Sequence, residues 1–165
     1  MKVIFLDIDG VMNNQIDWIS KVDNQSEGHR MFCDNAWQML SDICQKTGAK
    51  VVLSSSWRVG FIVKNGSIKL KDNTCKLSKK LLDYFDKYNI ELIGITTTKY
   101  DQRGKQIMVW IKENLTPEDK FVVVDDEAFD IKDYIPEKQF IKTEFKTGLL
   151  LEHCKKILEF FKEEI

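Results

Sequence analysis

The chain has 165 residues, the usual length of one domain, and is 43% hydrophobic and 31% charged, as expected of a globular protein with a sizeable core. Lysine and arginine total 25 against 26 acidic residues, so bulk charge names no partner and excludes a protein that holds nucleic acid by net basicity alone. Four scattered cysteines without a CxxC pair and only two histidines argue against a disulfide framework and a zinc site, and no apolar stretch approaches membrane-spanning length, which predicts a reduced, cytoplasmic protein.

Lys2 to Leu6 reads as a buried strand, because its apolar residues run on without polar alternation. It ends abruptly in Asp7-Ile8-Asp9-Gly10. Residues 13–32 are polar and lack steady periodicity, so a flap-like irregular excursion is expected there. Asp34 is placed to cap a helix carrying Ala36, Leu40, Ile43 and Cys44, which Gly48 ends. KVVLS, Lys50 to Ser54, is a second strand. Residues 59–75, with the turn pair Asn65-Gly66, have room for a small hairpin. Leu77, Leu81, Tyr84, Phe85 and Tyr88 then mark a helix, and Ile90 to Thr96 a third strand. A helix is predicted from near Arg103 to Asn114, a fourth strand over Phe121 to Asp125, and a fifth over Gln139 to Lys142. The last helix runs from about Leu149 to Phe161, with Leu150, Cys154, Ile157, Leu158 and Phe161 along one face.

Strands alternating with helices imply an α/β fold: a three-layer Rossmann-like sandwich, 1–165 as one domain, around a mainly parallel sheet. In such sheets ligands gather beyond the carboxyl ends of the strands. Asp7 and Asp9, Ser54 and Ser55, and Asp125 with Asp126 all fall at those ends. Any one acid there is unremarkable as a turn former or helix cap. Their joint placement points to one shared site.

Carboxylates on short stems suit a hard cation, and Asp7, Asp9, Asp125 and Asp126 would supply the charge for one Mg2+. Phosphoryl transfer needs a nucleophile, a proton donor and positive charge around the phosphoryl oxygens. Asp7 is the natural nucleophile, through an aspartyl-phosphate, and Asp9, two residues on, can serve as general acid and base.

The pattern resembles the haloacid dehalogenase-like (HAD) superfamily of Mg-dependent phosphohydrolases. Its DxDG motif matches Asp7-Ile8-Asp9-Gly10. Its strand-closing Ser or Thr matches VVLSSSWR at Ser54, with Ser55 the alternative. Its basic residue near a helix start lies in YDQRGKQI, as Arg103 or Lys105, and its acidic pair matches FVVVDDEAFD at Asp125 and Asp126, with Asp130 as an extra acid. SSSWR, RGKQIMVWI, VVVDDE and the late TGLL further resemble small members grouped with RNA-repair phosphatase domains.

The resemblance implies a role for each position. Asp7 is nucleophile and metal ligand, and Asp9 is general acid/base with its backbone carbonyl on the metal. Ser54 donates a hydrogen bond to the phosphoryl group, and Asp125 and Asp126 bind the metal directly or through water. Arg103 is favoured over Lys105 as the basic residue, although a helix start, whose amides favour anions, suits either. Arg58 either reaches a substrate phosphate or stacks on the surface beside Trp57.

Neither interval between motifs can hold a full cap domain. An open site accepts bulky phosphate esters, so the expected partner is a phosphorylated substrate such as a nucleotide or a nucleic-acid phosphate end. Lys64, Lys69 and Lys71 of the expected hairpin read more simply as a solvated, protected edge. A non-catalytic binding module on the same fold and a phosphotransferase are the competing functions.

Overall fold

The computed structural model describes residues 1–22 and 32–162 of the chain. In chain order its elements are β1 (Lys2–Leu6), α1 (Gln15–Val22), α2 (Asp34–Thr47), β2 (Lys50–Leu53), β3 (Phe61–Lys64), β4 (Ser67–Leu70), α3 (Lys76–Lys87), β5 (Leu92–Ile95), α4 (Arg103–Asn114), β6 (Lys120–Asp125), α5 (Ile131–Tyr134), β7 (Phe140–Lys142) and α6 (Leu151–Phe161). Five strands form a parallel sheet in the order β5-β2-β1-β6-β7, which is the predicted α/β architecture. Among the described residues no helix is long and apolar enough to cross a membrane.

The unbroken apolar run of β1 has its reason in this order. β1 sits at the centre of the sheet, and successive side chains enter cores on opposite faces. Ile4 and Leu6 join the larger core with Trp37, Leu40, Leu81, Ile157 and Phe161, so α2, α3 and α6 cover that face. Val3 and Phe5 join a smaller core with Ile107 and Ile131, under α4 and α5. Trp37 is fully buried and meets Phe85 edge-to-face at 5.0 Å between ring centroids. A large side chain so placed contributes roughly 1.5–3 kcal/mol. Trp110 is only half-buried, packing edge-on against Phe5 at 5.5 Å.

Several local expectations are corrected. Residues 15–22 form helix α1, where the sequence suggested irregular chain; the Asp17 amide donates to Asn14 Oδ1 at 2.8 Å, a side-chain cap that weak periodicity conceals. The remainder of the expected flap, 23–31, lies outside the described residues. Asp34 does not cap α2. Cys33 holds that position without a side-chain cap, and the Asp34 carboxylate accepts from the Tyr88 hydroxyl at 2.7 Å. Leu150 is exposed rather than part of the buried face of α6, because the helix begins one residue later and His153 caps it, its Nδ1 accepting from the Leu150 amide at 3.0 Å. Residues 61–70 form an antiparallel hairpin in which Lys64 and Lys69 are exposed.

Candidate active site

Parallel strands end together, and here each extends its hydrogen-bond ladder by one residue. The Asp7 amide donates to Val124 O, Ser54 to Leu6 O, Thr96 to Leu53 O and Thr143 to Asp125 O, each at 3.0 Å. These bonds line up Asp7, Ser54, Thr96 and Thr143 along the carboxyl edge of the sheet, with Asp125 closing β6. Residues separated by more than a hundred positions in the chain thus meet at one edge.

Carboxylate oxygens of Asp7, Asp125 and Asp126 lie within 4.8 Å of one another. Asp125 is 0% exposed. Burial, and then the neighbouring charge of Asp7, push its carboxyl up to about 7, and the same causes bring Asp126 to about 6. Burial also raises Asp7, against the pull of Arg103 and of the Ser55 hydroxyl, both of which favour its charged form. Three crowded carboxylates that resist ionisation together, all offering oxygen, have the chemistry of a site for a hard divalent cation. This set could hold a metal ion.

Arg103 enters the cluster from the first turn of α4. Its Nη1 lies 2.6 Å from Asp125 Oδ2 and 3.3 Å from Asp7 Oδ1. Burial alone would lower its pKa, but Asp7 and Asp125 outweigh that and hold it above the ordinary value. Lys105 is turned elsewhere, with its Nζ 4.3 Å from the centroid of the Tyr100 ring. Asp130 is not beside the other acids. Its two oxygens accept from the amides of Gly104 and Lys105 at 3.0 and 3.2 Å, capping α4 from another segment. The helix-start amides expected to attract an anion are therefore already engaged by a carboxylate of the protein itself.

Asp9 points to a different set of partners. Its Oδ1 accepts from Asn13 Nδ2 at 2.9 Å and its Oδ2 from Trp57 Nε1 at 3.0 Å. Asn13 Oδ1 in turn accepts from the Gly10 amide at 3.1 Å, and Thr143 Oγ1 donates to Gly10 O at 2.7 Å, so the turn after β1 is fastened from both sides. Gly10 has φ +76°, and a Cβ there would collide with the Asp126 side chain, including Asp126 Cβ at 2.8 Å. The glycine is what lets the two acidic segments approach.

The serines divide. Ser55 Oγ accepts from the Trp57 amide at 3.3 Å and faces Asp7, so its hydroxyl is engaged within the protein. Ser54 Oγ is fully buried at the strand end beside Asp7 and has no hydrogen-bond partner among the described residues. Arg58 is 8% exposed, which excludes surface stacking. Its Nη1 donates to Ser55 O at 2.8 Å and its Nη2 to Gln106 Oε1 at 2.9 Å, tying the end of β2 to α4. Trp57, Asn13 and Thr143 had no recognised place in the site from sequence. Each acts by holding a neighbour, and their residue types carry no signal of that.

A family model described as HAD domain in Swiss Army Knife RNA repair proteins matches residues 3–154. No curated protein and no solved structure matches the chain.

Proposed function

Since this chain belongs to the family of HAD domains in Swiss Army Knife RNA repair proteins, whose superfamily role is HAD-type hydrolysis, we propose that it is a Mg-dependent phosphomonoesterase working through an aspartyl-phosphate on Asp7. The observation that carries the reading is the meeting of Asp7, Asp125 and Asp126 within 4.8 Å, with the Arg103 guanidinium on two of them. Asp7, Asp125 and Asp126 would hold the magnesium ion, which when bound supplies positive charge for the phosphoryl oxygens.

The remaining chemistry belongs to side chains. An Asp7 oxygen forms a bond to phosphorus as the ester P–O bond breaks, while Asp9 gives its proton to the departing alcohol oxygen. Asp9 then takes a proton from water, whose oxygen attacks phosphorus and releases inorganic phosphate and the Asp7 carboxylate. Trp57 and Asn13 hold Asp9 in position for both proton transfers. Ser54, with a hydroxyl unmatched among the described residues, donates to the phosphoryl group; Ser55 orients Asp7 and Arg58 braces the strand end. Arg103 rather than Lys105 is the basic residue that balances charge at the phosphoryl group.

The substrate class is a phosphate monoester, with nucleotides and nucleic-acid phosphate ends as the first candidates. Purified protein with magnesium should release phosphate from a broad ester panel, and Asp7→Asn and Asp9→Asn should each abolish release while remaining folded. Full turnover by either variant would defeat the mechanism.

A further inference from the structure

We propose that Phe129 is a stacking platform for an aromatic base carried by the ester's leaving group, so that the substrate is a nucleotide or a base-bearing phosphorylated end of a nucleic acid. This deepens, and rests on, the phosphatase reading of the same site. Phe129 is 62% exposed, unusual for a phenylalanine, and lies in the segment joining Asp126 to α5. Its φ of +38° is in the left-handed region, which a bulky side chain rarely adopts. An exposed aromatic ring held in strained backbone beside a cluster of acids is the kind of outlier from which function is inferred.

The segment is fastened rather than loose. The Glu127 amide donates to Asp125 Oδ1 at 2.9 Å, Ile131 N to Ala128 O at 2.8 Å, and Asp130 binds the start of α4. Gly104 seals that junction, since a Cβ there would lie 2.8 Å from Asp130 O.

Distance fits the assignment. The Arg103 guanidinium carbon lies 5.2 Å from the Phe129 ring centroid, and the same guanidinium reaches Asp7 and Asp125. One planar group therefore separates the ring from the phosphoryl-transfer centre, as one sugar separates phosphorus from base in a nucleotide. The cation near the ring leaves aromatic surface open, and every nucleobase has a π-face to lay against it. An exposed ring next to Asp130 and two residues from Glu127 suits a base better than the contiguous apolar core of a protein interface.

The test uses Asp7→Asn protein, in which turnover is blocked, with magnesium and isothermal titration. Two ligand pairs are compared: adenosine 5′-monophosphate against ribose 5-phosphate, and a 5′-phosphorylated oligonucleotide against the same strand with an abasic terminal residue. In at least one pair the base-bearing ligand should bind tighter by about 10-fold or more, the worth of one stacked base. The advantage should collapse to about 1-fold on adding Phe129→Gly and persist with Phe129→Trp. Glycine accepts the left-handed backbone, so Phe129→Gly should fold at least as stably. Which pair responds distinguishes a free nucleotide from a nucleic-acid end. No advantage in either pair, or one that survives Phe129→Gly, overturns the inference. Base-dependent binding through Phe129 without phosphate release by wild type would instead count against the phosphatase reading alone.

Discussion

Replacing Gly10 with alanine should damage the metal site more than the small change in composition suggests. The backbone there sits at φ +76°, and the added Cβ would overlap Asp126 Oδ2 and Cγ and lie 2.8 Å from Asp126 Cβ. Rotating the carboxylate away removes the first two clashes but not the third, so the turn itself must shift. A left-handed conformation costs an L-residue about 1–2 kcal/mol, and overpacking a close contact adds about 1–3 kcal/mol. The sum of about 2–5 kcal/mol corresponds to a fall in Tm of about 4–20 °C for a domain of this size. The assay is thermal unfolding with and without magnesium, joined to a magnesium titration. Gly10→Ala should lose the Tm and also most of the stabilisation by magnesium, because Asp126 is displaced from Asp7 and Asp125. A variant with wild-type Tm and wild-type magnesium response would refute the close-approach reasoning.

Ser54→Ala removes a buried hydroxyl that has no partner among the described residues, so its stability should hold or rise, by up to about 1–3 kcal/mol, while kcat/KM for phosphate release falls; a loss of stability without a loss of activity would contradict its assignment. Trp57→Phe deletes the N–H held by Asp9; such a bond is worth about 0.5–1.5 kcal/mol, so kcat should fall by about 2- to 10-fold with little change in KM, and an unchanged kcat would remove Trp57 from the mechanism. In protein stripped with EDTA, Asp126, raised by burial and by Asp7 to about 6, keeps a proton that the unfolded chain has released. The native state then binds more protons than the unfolded one, so this residue's contribution to stability is lost as pH rises through about 4 to 6. The Tm of stripped wild type relative to Asp126→Asn should therefore fall as pH rises across that window, and a rising difference would contradict it.

The fold was legible because central parallel strands must be apolar on both faces, and Val3 to Leu6, Val51 to Leu53 and Val122 to Val124 advertise that directly. Asp7, Asp125 and Asp126 were legible only jointly: one acid at a strand end is an ordinary turn former, but acids at the ends of two strands of one parallel sheet converge. Helix α1 was not, since its cap is the single residue Asn14 and Ile16 and Ile19 stay exposed instead of marking a buried face. Asp34 and Asp130 were each read from neighbouring sequence, yet each bonds groups distant in the chain, Tyr88 in one case and the start of α4 in the other. Trp57, Asn13 and His153 make their contacts through hydrogen bonds of fixed direction. Direction is a property of the folded backbone, which composition and spacing do not encode.

Mass spectrometry of protein quenched in acid during turnover tests the central claim most directly. With magnesium and an active phosphate ester, a phosphoryl group should appear on the peptide containing Asp7 and be absent from Asp7→Asn. Phosphate release at full rate with the Asp7 peptide never modified, or with the phosphoryl group on another residue, would contradict the account.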